Sequence, residues 1–162
     1  MQYIVGDATR PVAEGPRVLV HICNDAGGWG AGFVVAVSKR WQEPERRYRA
    51  WHRGEDDLPF ALGQVQFVVV EPGMWVANLI GQHGIRCHDG MPPIRYDAVR
   101  EGLARVTAFA REHHASAHMP RIGCGLAGGE WSEVSRIIEE ELASKGISVT
   151  VYDLEPPVES QA

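Results

Sequence analysis

Short apolar runs alternate along the chain with segments in which apolar residues return every three or four positions. Six runs rich in β-branched residues, at 2–5, 17–23, 64–70, 75–80, 117–122 and 148–152, predict strands. Several are apolar almost throughout, which suits strands covered on both faces better than a half-exposed antiparallel sheet. The clearest helical pattern runs over 94–114, where Val99, Leu103, Val106 and Ala110 fall on one face. A second, over 130–145, has Trp131, Val134, Ile138 and Leu142 as its buried stripe, Glu139 to Glu141 in water and Gly146 placed to end it. Shorter helices are predicted over 32–41 and after Pro44, a residue suited to a first helical turn. Strands and helices interleave from Arg17 onward, so the expected fold is α/β, a three-layer α/β/α sandwich over a mixed, largely buried sheet. No repeat or linker interrupts the pattern. Residues 1–154 read as one domain and the polar, proline-rich 155–162 as a frayed tail.

Composition fits that picture. The chain has 162 residues, 44% of them hydrophobic and 23% charged, enough for one real core. A net charge of -5 argues against broad capture of a nucleic-acid backbone. The one dense basic cluster, Arg46, Arg47, Arg49 and Arg53, is interleaved with Glu45, Glu55, Asp56 and Asp57 and reads as a solvated helix face. Three cysteines, Cys23, Cys87 and Cys124, without a CxxC pair, do not make a disulfide framework, and a reducing cytoplasm is expected. Neither an export signal nor a membrane span is expected, and the oligomeric state is left open.

Two glycine-rich stretches, "NDAGGWGAG" at 24–32 and "GCGLAGG" at 123–129, each follow a strand and precede a helix. That arrangement presents backbone N–H groups and a helix N-terminus to an anion, and two of them in one domain point to a diphosphate-containing ligand. The rival reading, glycines that only make tight turns and close helix packing, stands beside it. Neither stretch is a P-loop or a GxGxxG fingerprint, so ordinary triphosphate and dinucleotide sites lose ground.

"GDAT" after the first run, "HICNDAGGWGAGF", "VANLIGQ" and "MPRIGCGLAGGEW" closing on "VTVYDL" resemble the macrodomain family of ADP-ribose-binding proteins, over nearly the whole chain up to Leu154. The nearest branch is similar to the terminal ADP-ribose glycohydrolases and the ADP-ribose-1''-phosphate phosphatases. The resemblance implies that Gly123, Cys124, Gly125, Leu126 and Ala127 wrap the diphosphate, while Gly30, Ala31 and Gly32 approach from the other side. It also implies that Asp7 and Ala8 take the adenine edge, Asn24 the distal ribose, and Tyr152 a place beside adenine. Trp29, large among glycines, is expected to cover the distal ribose. For Asp7 a turn or cap, for Asn24 a loop cap and for Tyr152 a core position are the alternatives.

The family's glycohydrolases are thought to use a Lys near the end of the "NLI" strand and an Asp just after "GCGL". Here Gln82 stands near the first place and Ala127 at the second, so a covalent lysine route is not expected. Chemistry would then fall to a held water and a polar side chain, with Asp25, Gln82 and His83 nearest on sequence. Asp25 could act as base, His83 could titrate near neutrality and Gln82 could only position groups; a merely ligand-lining role stays open for each. His21 reads as a core histidine bonded to backbone. Cys124 lacks an evident base, which sets a thiol nucleophile aside, and His83, Cys87, His88 and Asp89 form a polar loop without a second ligand cluster for zinc. No cofactor and no metal is implied. The expected partner is ADP-ribose or an ADP-ribosylated macromolecule. The expected activity is hydrolytic removal of mono-ADP-ribose from an ester such as a modified glutamate, with a non-catalytic reader and an ADP-ribose-1''-phosphate phosphatase as alternatives.

Overall fold

The computed structural model describes residues 1–156. The strands are β1 (Gln2–Val5), β2 (Arg17–Asn24), β3 (Val65–Glu71), β4 (Met74–Gln82), β5 (Ser116–Met119) and β6 (Val149–Asp153). The helices are α1 (Phe33–Arg40), α2 (Glu43–His52), α3 (Tyr96–His113) and α4 (Trp131–Glu141). The strands form one sheet in the order β1-β6-β5-β2-β4-β3. Every neighbouring pair is parallel except β3 and β4, an antiparallel hairpin turned at Pro72 and Gly73.

The apolar runs are explained by burial on both faces. Along β2, Val18 and Val20 join Val99, Leu103 and Val106 of α3 and Val134 and Ile138 of α4 in one core cluster. The intervening Leu19 and Cys23 join Val37 of α1 and Tyr48 and Trp51 of α2 in the other. Period-two alternation therefore sorts β2 between two helical layers. Leu19 and Leu103 are fully buried, and each contributes about 1.5–3 kcal/mol relative to an exposed position. The result is the expected mixed sheet between helical layers.

Several boundaries differ from expectation for local reasons. The fifth run, read as 117–122, ends as a strand at Met119, because Pro120 has no N–H for the ladder and the chain turns there. The last helix, read to 145, ends at Glu141 and tightens into a 3₁₀ turn, Ala143–Lys145, closed by Gly146 in the left-handed region (φ 87). Trp131 is only half-buried, with its indole N–H on the Tyr3 hydroxyl, and Ile137 takes a buried place that the stripe omitted. Among the described residues no helix is long and apolar enough to cross a membrane. Most of the expected tail, 157–162, lies outside the described residues.

Candidate functional site

Because β2 runs parallel to both β4 and β5, the carboxyl ends of these three central strands lie together. The loops that leave them, 24–32 and 120–130, enclose a cleft of two adjoining chambers of about 370 and 330 Å³. Ile22, Ala31, Val34, Gln82 and Leu126 line both. His21, Phe33, Arg121, Gly123 and Gly125 line the first chamber, and Asn24, Gly28, Gly30 and Ile85 line the second.

The glycines divide into two kinds. Gly123 sits at φ +73, and a Cβ on Gly129 would lie 2.5 Å from the Gly123 carbonyl oxygen, so these two are required by the chain's own turn. Gly30 and Gly125 have ordinary backbone angles and nothing within 4 Å of an added Cβ. No turn or neighbour demands glycine at either place, yet both line the cleft. Among the described residues no hydrogen bond takes the N–H groups of Gly30, Ala31 and Gly32 or those of Gly125, Leu126 and Ala127. α1 starts at Phe33 just beyond the first set, so two loops that line the cleft carry N–H groups without a partner among the described residues.

Asn24 spends most of its amide on its own loop. Its Oδ1 accepts the N–H groups of Ala26 and Gly28 at 2.9 and 3.0 Å, and its Nδ2 donates to the Gly28 carbonyl at 2.9 Å. It is a loop cap at the chamber wall. Trp29 is a correction: its ring is 4% exposed, packed on Tyr48 and edge-on to His21, with its indole N–H on Ser38 at 2.7 Å. A ring so deep supports the loop from below, and Trp29 lines neither chamber. Tyr152 is likewise buried; its hydroxyl accepts the Val12 N–H at 2.9 Å and meets His118 Nδ1 at 2.7 Å. Asp7 Oδ1 accepts from the Thr9 N–H and hydroxyl, as a turn-capping Asp does. Asp7, Ala8 and Tyr152 line neither chamber.

The structure brings Asp25 and His83 together. Asp25 Oδ2 lies 2.7 Å from His83 Nδ1, and Oδ1 accepts the Gly84 N–H at 2.7 Å. The carboxylate holds the ring through Nδ1 and leaves Nε2 free on a side chain that is 58% exposed. Gln82 lines both chambers, and its Nε2 donates to the Gly84 carbonyl at 3.1 Å. The three residues thus lie together where the ends of β2 and β4 meet, but of them only Gln82 lines the cleft; Asp25 and His83 line neither chamber.

No family model matches the chain. A solved macrodomain protein from Streptomyces coelicolor is 54% identical, with 94% of this chain and 97% of that one covered and a TM-score of 0.84. The chain belongs to the macrodomain family. A structure from Bacteroides thetaiotaomicron, described only as a protein of unknown function, is 58% identical to this macrodomain, covering 94% and 97% of the two chains with a TM-score of 0.91. Among curated proteins, the chromodomain-helicase-DNA-binding protein 1-like of Mus musculus is 32% identical over 94% of the macrodomain. The macrodomain spans only 17% of that protein's length. Relatives of two kinds are named for ADP-ribose chemistry. ADP-ribose glycohydrolase OARD1 of Homo sapiens is 53% identical over 36 residues, 22% of this chain and 24% of its own. The ADP-ribose 1''-phosphate phosphatase of Candida albicans is 22% identical over 148 residues, 86% of this chain and 92% of its own.

The macrodomain's remaining reactive groups sit quietly. Burial pushes the Cys124 thiol up, and its Sγ donates to the Ile122 carbonyl, so it lines the loop as a thiol. Among the described residues no group of three or more His, Cys, Asp and Glu side chains could hold a metal. The arginines of α2 and of its C-terminal cap are paired with Glu43, Glu45, Glu55 and Asp56. Sequence reasoning passes over Phe33, Val34, Arg121 and Ile85 as lining residues. It also places His21 on backbone, whereas its Nε2 meets the Asn78 side chain at 2.6 Å. Polar residues inside apolar strand runs, His21, Gln66 and Asn78, are the signal that could have shown it.

Proposed function

We propose that the cleft binds ADP-ribose and that the protein hydrolyses the bond joining mono-ADP-ribose to an acceptor, an ester such as that of a modified glutamate. The observation that carries this reading is the pair of facing glycine loops with uncommitted amides, in which Gly30 and Gly125 are unconstrained by the fold and open to the cleft. Backbone amides aimed from two sides suit a diphosphate, and side chains there would fill its place. The names of the glycohydrolase and phosphatase relatives agree with ADP-ribose as the ligand class. On this reading Asp7 Oδ2 and the Ala8 N–H take the adenine edge. Gly123 to Ala127 and Gly30 to Gly32 hold the diphosphate, and Asn24 offers its remaining amide hydrogen to the distal ribose.

Asp25, Gln82 and His83 supply the chemistry in this proposal. Asp25 keeps the His83 proton on Nδ1, which leaves the Nε2 lone pair to accept a proton from water. The water oxygen bonds to the anomeric carbon as the bond to the acceptor carboxylate breaks; the electron pair leaves with the carboxylate and the proton goes to His83. Gln82 positions the groups. Cytoplasmic action on an ADP-ribosylated macromolecule is part of the same proposal.

The phosphatase reading is favoured by one observation, the Candida albicans relative that matches 86% of this chain. The two are separated by one experiment with the purified protein. An acceptor peptide carrying ester-linked ADP-ribose is assayed for free ADP-ribose, and ADP-ribose-1''-phosphate for inorganic phosphate, each beside Gly125→Val. Release of ADP-ribose that Gly125→Val abolishes is expected. Phosphate release alone moves the reading to the phosphatase, and binding without either product leaves a reader.

A further inference from the structure

A row of polar side chains crosses the sheet inside its apolar core. His21 of β2 pairs in register with Asn78 of β4, which pairs with Gln66 of β3, and all three side chains are buried. At the outer end of the row the donors and acceptors are unambiguous. Gln66 Nε2 faces the Arg47 carbonyl and the Asp56 carboxylate, both at 3.0 Å, and neither can donate. The amide nitrogen is therefore fixed there, and Gln66 Oε1 accepts from Asn78 Nδ2 at 3.1 Å. That Nδ2 also donates to the Pro44 carbonyl at 3.1 Å, which fixes Asn78 Oδ1 toward His21. The 2.6 Å contact then requires the proton on His21 Nε2.

Burial holds the His21 ring neutral, its pKa lowered to about 4. A neutral ring with its proton on Nε2 carries a lone pair on Nδ1. That Nδ1 is buried and has no hydrogen-bond partner among the described residues. The ring is 1% exposed, and it lines the first chamber of the cleft beside Phe33 and Val34. A buried acceptor without a donor costs free energy unless a ligand or a bound water supplies the hydrogen.

We infer that His21 Nδ1 is a ligand-recognition atom, an acceptor reserved for an O–H donor seated in the cleft. The inference rests on the ADP-ribose reading and narrows it. A phosphate oxygen brings only lone pairs and gains nothing from this atom, whereas a ribose hydroxyl, or a water clamped by the diphosphate, satisfies it. His21 is thus a positioning and specificity residue at the floor of the cleft, set in its tautomer from the surface carboxylate of Asp56 inward.

Nitrogen-15 NMR of the uniformly labelled protein tests this, with ADP-ribose and ADP as probes and the Gly30 and Gly125 amides reporting occupancy. Free protein should show His21 protonated at Nε2 only, and saturating ADP-ribose should move the Nδ1 resonance in the direction of an accepted hydrogen bond. A shift with ADP-ribose and none with ADP assigns the donor to the distal ribose; equal shifts assign it to a water held by the diphosphate. Amides that move while Nδ1 stays still overturn the inference, as does a proton found on Nδ1. Amides that do not move with either probe overturn the ADP-ribose reading instead. His21→Phe, which keeps the ring and removes the acceptor, should weaken ADP-ribose binding roughly fivefold to tenfold, the worth of one hydrogen bond. Should that variant not fold, the resonance experiment on the native protein still decides.

Discussion

Gly125 and Gly129 belong to one loop but serve it differently: Gly129 is closed in by the Gly123 carbonyl, while Gly125 stands in open space. Gly125→Val should therefore leave the fold intact and lower ADP-ribose affinity at least tenfold, about 1.4 kcal/mol, as titration calorimetry would show. Unchanged affinity in the folded variant would remove the diphosphate from this loop. If the Asp25 and His83 pair carries the proton, His83→Ala and Asp25→Asn should each lower kcat by about 10²–10⁴ with little change in ADP-ribose affinity. A parallel loss of binding would make them lining residues only. Composition shows the two glycine stretches but not which glycines the turns require: Gly27, Gly32, Gly123 and Gly128 have left-handed backbone, and only Gly30 and Gly125 are left unconstrained. The contact between Asp25 and His83 is not legible, since 58 positions separate them and only the adjacency of β2 and β4 brings them together. The burial of Trp29, and of Tyr152 in the core position given as its alternative, is not legible for a related reason: an aromatic at a loop or strand end is covered or exposed according to what lies around it, and that is a tertiary fact.

At the level of elements, the strand runs and the long helix are readable from periodicity because both-face burial leaves few polar interruptions. The ends shift where a single backbone group decides, at Pro120 and at the 3₁₀ turn before Gly146. One close approach shows how tightly these elements are matched. A Cβ on Gly102 of α3 would lie 2.4 Å from Cγ of Leu79 in β4, so the helix rests against the strand only because that position has no side chain. Gly102→Val should cost about 1–3 kcal/mol by overpacking, read as a lower urea midpoint with an unchanged slope. A neutral result would show that α3 can rise from the sheet without loss.

The whole molecule carries two histidines that fold in the neutral state. His21 and His118 are both depressed to about 4, chiefly by burial, with Arg17 adding to the effect at His118. A base whose folded pKa lies below its unfolded value of about 6.5 contributes stability that is fully present above that value and is lost as pH falls toward 4. Between about pH 7 and pH 5 each should remove up to about 2 kcal/mol, measurable as a falling denaturation midpoint that flattens in His118→Gln.

Leu126 has a further consequence. The residue is 67% exposed, it lines both chambers, and its Cδ1 would lie 3.3 Å from a Cβ on Gly32 in the opposite loop. The two glycine loops thus meet over the cleft as the halves of a clasp. On the ADP-ribose reading, a ligand that occupies both chambers passes this contact on entry and exit, so Leu126 is expected to act on the rates of exchange more than on the strength of binding. Leu126→Ala should then accelerate association and dissociation with ADP-ribose together in stopped-flow measurements at nearly the same Kd, and unchanged rates would show that the two loops do not gate the cleft.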